Sequence, residues 1–131
     1  MESVKERSGN GPPLLSVVDD DESIRESVPD LIKEFGFACL AFSSAQEFLS
    51  SDLVGETSCL ILDIAMPGMT GPELHQELKR RGEEIPIIFI TGQRDETIRT
   101  RMLKRGAAGF LLKPFSDSAL LAAINTALHP I

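Results

Sequence analysis

Four kinds of polar residue stand at the ends of apolar runs in this chain. Asp19, Asp20 and Asp21 follow Leu14-Leu15-Ser16-Val17-Val18, and Asp63 follows Cys59-Leu60-Ile61-Leu62. Thr91 closes the run 85–90, and Lys113 closes Phe110-Leu111-Leu112. Short runs of this kind read as buried parallel strands covered on both faces. In an open α/β sheet, ligands bind outside the carboxyl ends of the strands. Carboxylates, a hydroxyl and an ammonium gathered at that edge suit a divalent cation, which takes oxygen ligands, and a phosphoryl group.

Each of these residues also has a plainer reading. Side chains alternate along a strand, so two of the three adjacent acids reach a common cation only if the chain turns and the third points away. Asp21 is placed to do that by capping the next helix. Without a cation, crowded carboxylates raise at least one pKa; alone, the run reads equally well as a solvated acidic turn. Asp63 follows four apolar residues and precedes Ile64, so its ionised form needs a partner. A metal or Lys113 supplies one, and its carboxylate is then a candidate nucleophile toward phosphorus; otherwise it is a cap or turn acid. Thr91 precedes Gly92, which leaves room for a phosphoryl oxygen near the hydroxyl, although a strand-terminal threonine by itself is unremarkable. Lys113 is either a snorkelling edge residue or a charge partner.

The elements that must position these residues are legible in the pattern. Residues 1–13, with Ser8-Gly9-Asn10-Gly11-Pro12-Pro13, read as a flexible leader. A first strand over 14–18 is followed by a helix over 23–35, with Ile24, Val28, Leu31, Ile32 and Phe35 on one stripe. Pro29 within it is expected to kink or break the helix, and Gly36 to end it. A second strand over 37–42 precedes a helix announced by the capping-box spacing of Ser44 and Glu47. Strand 59–62, a turn over 67–72, helix 72–81 with Pro72 at its first position and strand 85–90 follow. Helix 95–105 has sparse apolar positions (Ile98, Met102, Leu103) and is expected to pack lightly. Strand 109–112 precedes a last helix capped by Ser116, with Leu120, Leu121, Ile124 and Leu128 inward. Five strands alternating with helices imply right-handed βαβ units and a parallel, doubly wound three-layer sandwich.

Composition excludes several classes. The 131 residues fit one domain. A formal net charge of −7 argues against a nucleic-acid surface. No apolar stretch approaches the roughly 20 residues that span a bilayer, and residues 1–13 lack an apolar signal core, so a cytoplasmic protein is expected. Cys39 and Cys59 lack metal-ligand spacing and read as buried reduced thiols. His75 and His129 read as exposed positions without a chemical role.

Taken together, Val17-Val18-Asp19-Asp20-Asp21, the segment Leu62-Asp63-Ile64-Ala65-Met66-Pro67-Gly68-Met69-Thr70-Gly71, Ile90-Thr91-Gly92 and Lys113-Pro114-Phe115 resemble the receiver domain of two-component response regulators. The resemblance covers residues 14–128, leaving 129–131 as a tail. It implies a flavodoxin-like sheet of five parallel strands in the order 2-1-3-4-5 with five helices. It implies that Asp63 is the phosphoacceptor, and that Asp19, Asp20, Asp63 and the backbone carbonyl of Ala65 bind Mg²⁺, with Mn²⁺ as a possible substitute. It implies that Thr91 is the switch hydroxyl, Lys113 the phosphate-pairing cation and Phe110 the switch aromatic, and that the Lys113–Pro114 peptide is cis. The implied partner is a sensor histidine kinase or a histidine phosphotransfer protein. A homodimer through the face of the fourth helix, fifth strand and fifth helix is a further expectation.

Departures from the family pattern bear on function. Phe110 stands where tyrosine is commoner, so no hydroxyl reports its inward state. Ala65 and Gln93 flank the path of the attacking water; Ala65 leaves it open, and Gln93 either orients or blocks a water. Pro29 lies in the surface that docks the phosphodonor. The segments at 90–92 and 113–115 resemble FixJ-type regulators, which usually carry a DNA-binding domain, but the sequence holds no helix-turn-helix, so no nucleic-acid contact by this chain is expected. The reading is therefore a phosphoacceptor switch rather than an enzyme acting on external substrates. The alternatives are a Mg²⁺-dependent aspartyl-phosphate phosphohydrolase, disfavoured because Ala65 stands where a general acid is needed, and a phosphorylation-independent interaction module.

Overall fold

A computed structural model describes residues 11–129. The leader expected over 1–13 therefore lies mostly outside the described residues, as do positions 130 and 131. The elements run β1 (Leu14–Val18), α1 (Glu22–Glu34), β2 (Ala38–Phe42), α2 (Ala45–Ser50), β3 (Thr57–Asp63), α3 (Gly71–Arg80), β4 (Ile87–Thr91), α4 (Glu96–Lys104), β5 (Gly109–Leu112) and α5 (Asp117–Leu128). All strand pairs are parallel, and the sheet order is β2-β1-β3-β4-β5. The doubly wound sheet and its strand order are as the sequence led us to expect.

Why the three central strands are apolar throughout becomes clear from the two cores. Val18, Leu60, Leu62, Ile87 and Phe89 point to one face, where Phe48 of α2, Leu74 and Leu78 of α3 and Met102 of α4 cover them. Leu15, Val17, Cys59, Ile61, Ile88 and Ile90 point to the other, where Val28 and Ile32 of α1 and Leu120, Ile124 and Ala127 of α5 lie. Strict alternation along each strand thus feeds both cores. Cys39 and Cys59 flank Leu15 from the strands on either side of it. Both are buried free thiols, and burial pushes each up to about 12, so neither is a thiolate near neutral pH.

Several local expectations change. Helix α1 continues through Pro29 to Glu34. The proline removes one backbone donor, but its ring is buried, and this apolar contact supports the helix where the hydrogen bond is missing. Ser44 caps α2 by accepting from the Glu47 N–H at 3.0 Å, but the Glu47 carboxylate reaches back to the Ser43 N–H and hydroxyl. The full reciprocal box is at α3 instead, where Thr70 and Glu73 exchange both bonds. Gly71 is the first residue of α3, so Pro72 sits one position further in than expected. Helix α4 is as lightly packed as its sequence suggested: Met102 is its buried residue, while Leu103 stays 39 % exposed.

His75 corrects an expectation. It is buried on α3, its ring edge-on to Phe89 with centroids 5.7 Å apart. It falls one residue after Leu74 on the inward stripe, a placement that a polar residue type concealed. His129 is exposed, as expected.

One buried polar pair ties the centre of the sheet to the loop after α2. Thr57 Oγ1 donates to the Leu53 carbonyl at 2.7 Å, so the Ser16 hydroxyl, 2.7 Å away, donates to Thr57. Both side chains are fully buried. Thr57→Val is therefore expected to cost about 1–3 kcal/mol by stranding the Ser16 hydroxyl. The double variant with Ser16→Ala should recover much of that loss in urea unfolding followed by circular dichroism. Equal stability of the single and double variants would refute the pairing.

Candidate functional site

The carboxyl ends of β1, β3, β4 and β5 bring the four polar residue types together. Asp19 follows the last residue of β1, and its N–H donates to the Phe42 carbonyl at 3.1 Å. Its side chain is completely buried. Oδ1 accepts from the Asp21 N–H at 2.9 Å, and Oδ2 lies 2.9 Å from Lys113 Nζ. Among the described residues, the Lys113 ammonium is the sole partner of that oxygen. Asp20 is exposed beside it. Asp21 turns away, as the alternation argument required: it caps α1 by accepting from the Ser23 N–H and hydroxyl, at 2.9 and 2.8 Å. Those bonds hold its carboxyl below the usual range.

Asp63 ends β3 with 5 % of its surface exposed, and Lys113 Nζ stands 3.5 Å from its Oδ1. Burial, then the Asp19 charge, push its carboxyl up to about 7; the Lys113 ammonium opposes them. For Lys113 the balance is reversed. Burial disfavours its charge, but contact with Asp19 and Asp63 outweighs that and raises its pKa. The site therefore holds more negative charge than one ammonium satisfies.

Asp19, Asp20 and Asp63 each offer a carboxylate oxygen, and these oxygens lie within 4.8 Å of one another. Such a set of hard oxygen donors matches what Mg²⁺ or Mn²⁺ requires. The buried Asp19 Oδ2, met only by an ammonium that Asp63 shares, and the upward push on Asp63 are both what a cation would relieve, so the residues fit the metal. Ala65 is exposed in the loop after β3.

Thr91 ends β4 fully buried. Its Oγ1 accepts from the Gln93 N–H at 3.2 Å, leaving the hydroxyl proton available, and its carbonyl accepts from the Lys113 N–H at 2.7 Å. β4 and β5 thus hold Thr91 and Lys113 in register at one rim. Phe110 is half-buried against the core on the α4 side and lines a small cleft with Gln93, Arg94 and Arg99. The Lys113–Pro114 peptide is cis.

Two residues that the sequence did not single out shape the pocket. Arg25, on the first turns of α1, donates from its guanidinium to the Asp19 carbonyl at 3.0 Å. In sequence it resembles any charge on a solvated helix face. Gly71 packs so closely under Asp63 that a Cβ there would fall inside contact distance of the Asp63 carbonyl oxygen and 3.0 Å from Ile64 Cα. In sequence it reads only as part of a turn.

A doubly wound α/β domain with an acid cluster, a hydroxyl and a lysine at its switch-point edge defines a narrow class of protein. Residues 15–125 match the response regulator receiver domain, and the chain belongs to that family. It is 45 % identical over 114 residues to Nodulation protein W of Bradyrhizobium diazoefficiens, covering 87 % of this chain and 50 % of that one. Among solved structures, it resembles the response regulator StyR (TM-score 0.82, 42 % identity, 90 % of this chain and 60 % of that one). It also resembles FixJ-N (TM-score 0.79, 33 % identity, 90 % and 94 %). The chain spans about half the length of the curated relatives it matches. Among the described residues, no helix is long and apolar enough to cross a membrane.

Proposed function

We propose that this receiver domain, residues 14–128, is a phosphorylation-driven switch in which Asp63 accepts a phosphoryl group from a histidine kinase or histidine phosphotransfer protein. The observation that carries the proposal is the buried carboxylate pair of Asp19 and Asp63 bridged by one ammonium. Asp19, Asp20, Asp63 and the Ala65 carbonyl would hold Mg²⁺, or Mn²⁺ in its place. When bound, the ion neutralises charge on the phosphoryl oxygens.

The chain's own residues do the rest. An Asp63 carboxylate oxygen forms the new bond to phosphorus as the bond to the donor imidazole breaks. Lys113 exchanges a carboxylate partner for a phosphoryl oxygen. The Thr91 hydroxyl gains a phosphoryl acceptor, since its proton is not committed elsewhere. A phosphoryl group carries about −1.5 to −2 of charge, enough to bias the position of Thr91. Moving Thr91 inward opens space for Phe110, and the α4-β5-α5 face repacks. Light packing makes α4 cheap to displace. That face then controls a partner or output domain, with homodimerisation through it as one form of output. A cytoplasmic setting is part of the same proposal.

Incubation with acetyl phosphate and Mg²⁺ tests the reading. A mass gain of one phosphoryl is expected in the wild type and not in Asp63→Asn. Thr91→Ala should still label but lose the affinity change for its partner. Sustained phosphate release from unrelated phosphoesters would replace this reading with the hydrolase. Absence of any label under conditions that label another receiver would leave an interaction module.

A further inference from the structure

We propose that the groove between α3 and α5, at the sheet edge opposite the acid cluster, binds a small organic anion with an apolar body, its charged head read by Lys79 and His75. The groove encloses about 730 Å³, within the range of roughly 300–1,000 Å³ typical of small-molecule sites. It opens beside the amino end of β4. Thr91 closes the other end of that strand, so the groove and the acid cluster stand roughly 13 Å apart along it.

The lining is divided in the way such a ligand needs. Ile85, Ile87, Ala108 and Ala127 form an apolar floor. His75 and Lys79, one turn apart on α3, present the polar groups. His75 is 7 % exposed with its ring edge against Phe89, and its nitrogens are not among the buried unpartnered polar atoms, so they reach the groove. Nitrogens that face groove water can exchange it for a ligand's polar atoms. Burial, followed by the neighbouring Lys79 and Arg105 charges, lowers its pKa. The ring is therefore neutral near pH 7 and offers one donor and one acceptor.

Lys79 supplies the charge. Its ammonium donates to the Arg105 carbonyl at 2.9 Å, which holds it beside the last turn of α4. An ammonium has three donors, so two remain for a carboxylate or sulfonate. Lys79 and Arg105 together make the field at His75 positive, which selects an anionic head over a cationic one. Glu84, exposed on the same rim, opposes a second negative charge, so the fitting ligand is a monoanion.

The probe of choice is 8-anilinonaphthalene-1-sulfonate, an aromatic monoanion. The chain has no Trp and no Tyr, so its own fluorescence does not interfere. Titrated into the full chain at pH 7, the dye is expected to saturate at one site, with amide chemical-shift changes confined to residues 75–87, 106–108 and 126–127. Lys79→Gln should weaken binding about tenfold, the loss of one charge-assisted contact. His75→Phe, which keeps the ring contact but removes the nitrogens, should weaken it severalfold. The uncharged analogue N-phenyl-1-naphthylamine should bind about tenfold more weakly than the sulfonate. Equal affinity of Lys79→Gln and wild type would overturn the proposal, as would equal affinity for the uncharged dye. Shift changes at another surface of the folded protein, or no saturable binding, would overturn it too.

Discussion

Replacing Gly71 by alanine is expected to damage both the stability and the chemistry of this domain. The new methyl would meet the Asp63 carbonyl oxygen inside contact distance, with Ile64 Cα at 3.0 Å and the Asp63 carbonyl carbon at 3.1 Å. These are backbone atoms, so no rotamer change relieves the overlap. The Gly71 N–H also donates to the Ile64 carbonyl at 3.0 Å, which ties the start of α3 to the end of β3. Overpacking of this kind costs roughly 1–3 kcal/mol, which lowers the melting temperature by about 4–10 °C for a chain of this size. The chemical effect should be larger. Relief requires Asp63 to move relative to Asp19 and Lys113, and a displacement of about 1 Å at a reacting group can cost on the order of a hundredfold in rate.

Two other glycines separate these effects. A Cβ at Gly55 meets nothing within 4 Å, so Gly55→Ala should leave both stability and labelling intact. Gly36 has φ +102° and equally open surroundings; Gly36→Ala should lower stability through backbone strain while the labelling rate stays at the wild-type value. A Gly71→Ala protein that melts and labels like the wild type would show that the β3–α3 junction does not position Asp63.

Asp63→Asn is expected to stabilise the metal-free protein at neutral and alkaline pH while abolishing phosphoryl acceptance. Burial and the Asp19 charge raise the Asp63 carboxyl from 3.8 to about 7. Between those values the folded chain binds more protons at this site than the unfolded chain, so this group's contribution to stability falls as pH rises. The contribution is fully present below about pH 4 and is lost as pH passes through about 7. The shift sets an upper bound of roughly 4 kcal/mol. Pairing with Lys113 and reorganisation around the charge bring the expected gain to the order of 2 kcal/mol.

The measurement is thermal unfolding in chelator at pH 5 and pH 8. The variant should melt higher by about 5–10 °C at pH 8 and by less than half of that at pH 5. Mg²⁺ should close the gap by raising the wild type alone. Parallel pH profiles for the two proteins would mean that Asp63 is not the strained carboxylate of the pocket.

How much of this was legible beforehand depends on what each residue reports. The apolar runs ending in Asp19, Asp63, Thr91 and Lys113 disclosed a parallel sheet with a polar rim, because a strand buried on both faces leaves an apolar signature that only its terminal residue breaks. Asp21 was legible as a cap because its neighbours could not share its direction. The weak apolar stripe of α4 forecast its light packing. His75 was misread because position on the inward stripe mattered more than residue type, and the break allowed for at Pro29 is absent because burial of its ring offsets one lost hydrogen bond. Arg25 gave no usable signal, and Gly71 showed only as the last residue of a matching segment, without its contact. Their roles rest on contacts with residues six to eight positions away in the chain, across a turn whose path the sequence does not specify.

The sequence by itself determined the order of elements, the sheet and the four residue types at its carboxyl edge, since these follow from local periodicity and from the rule that strands deliver their last residue to that edge. Only the tertiary structure decided how deeply Asp19 and Asp63 are buried, and how Lys113 divides itself between Asp19 at 2.9 Å and Asp63 at 3.5 Å. It alone placed His75 over a groove at the far end of the sheet. The physical reason is range: hydrophobic patterning acts through neighbours in the chain, whereas burial, ion pairing and steric exclusion act between residues that only the completed packing brings together.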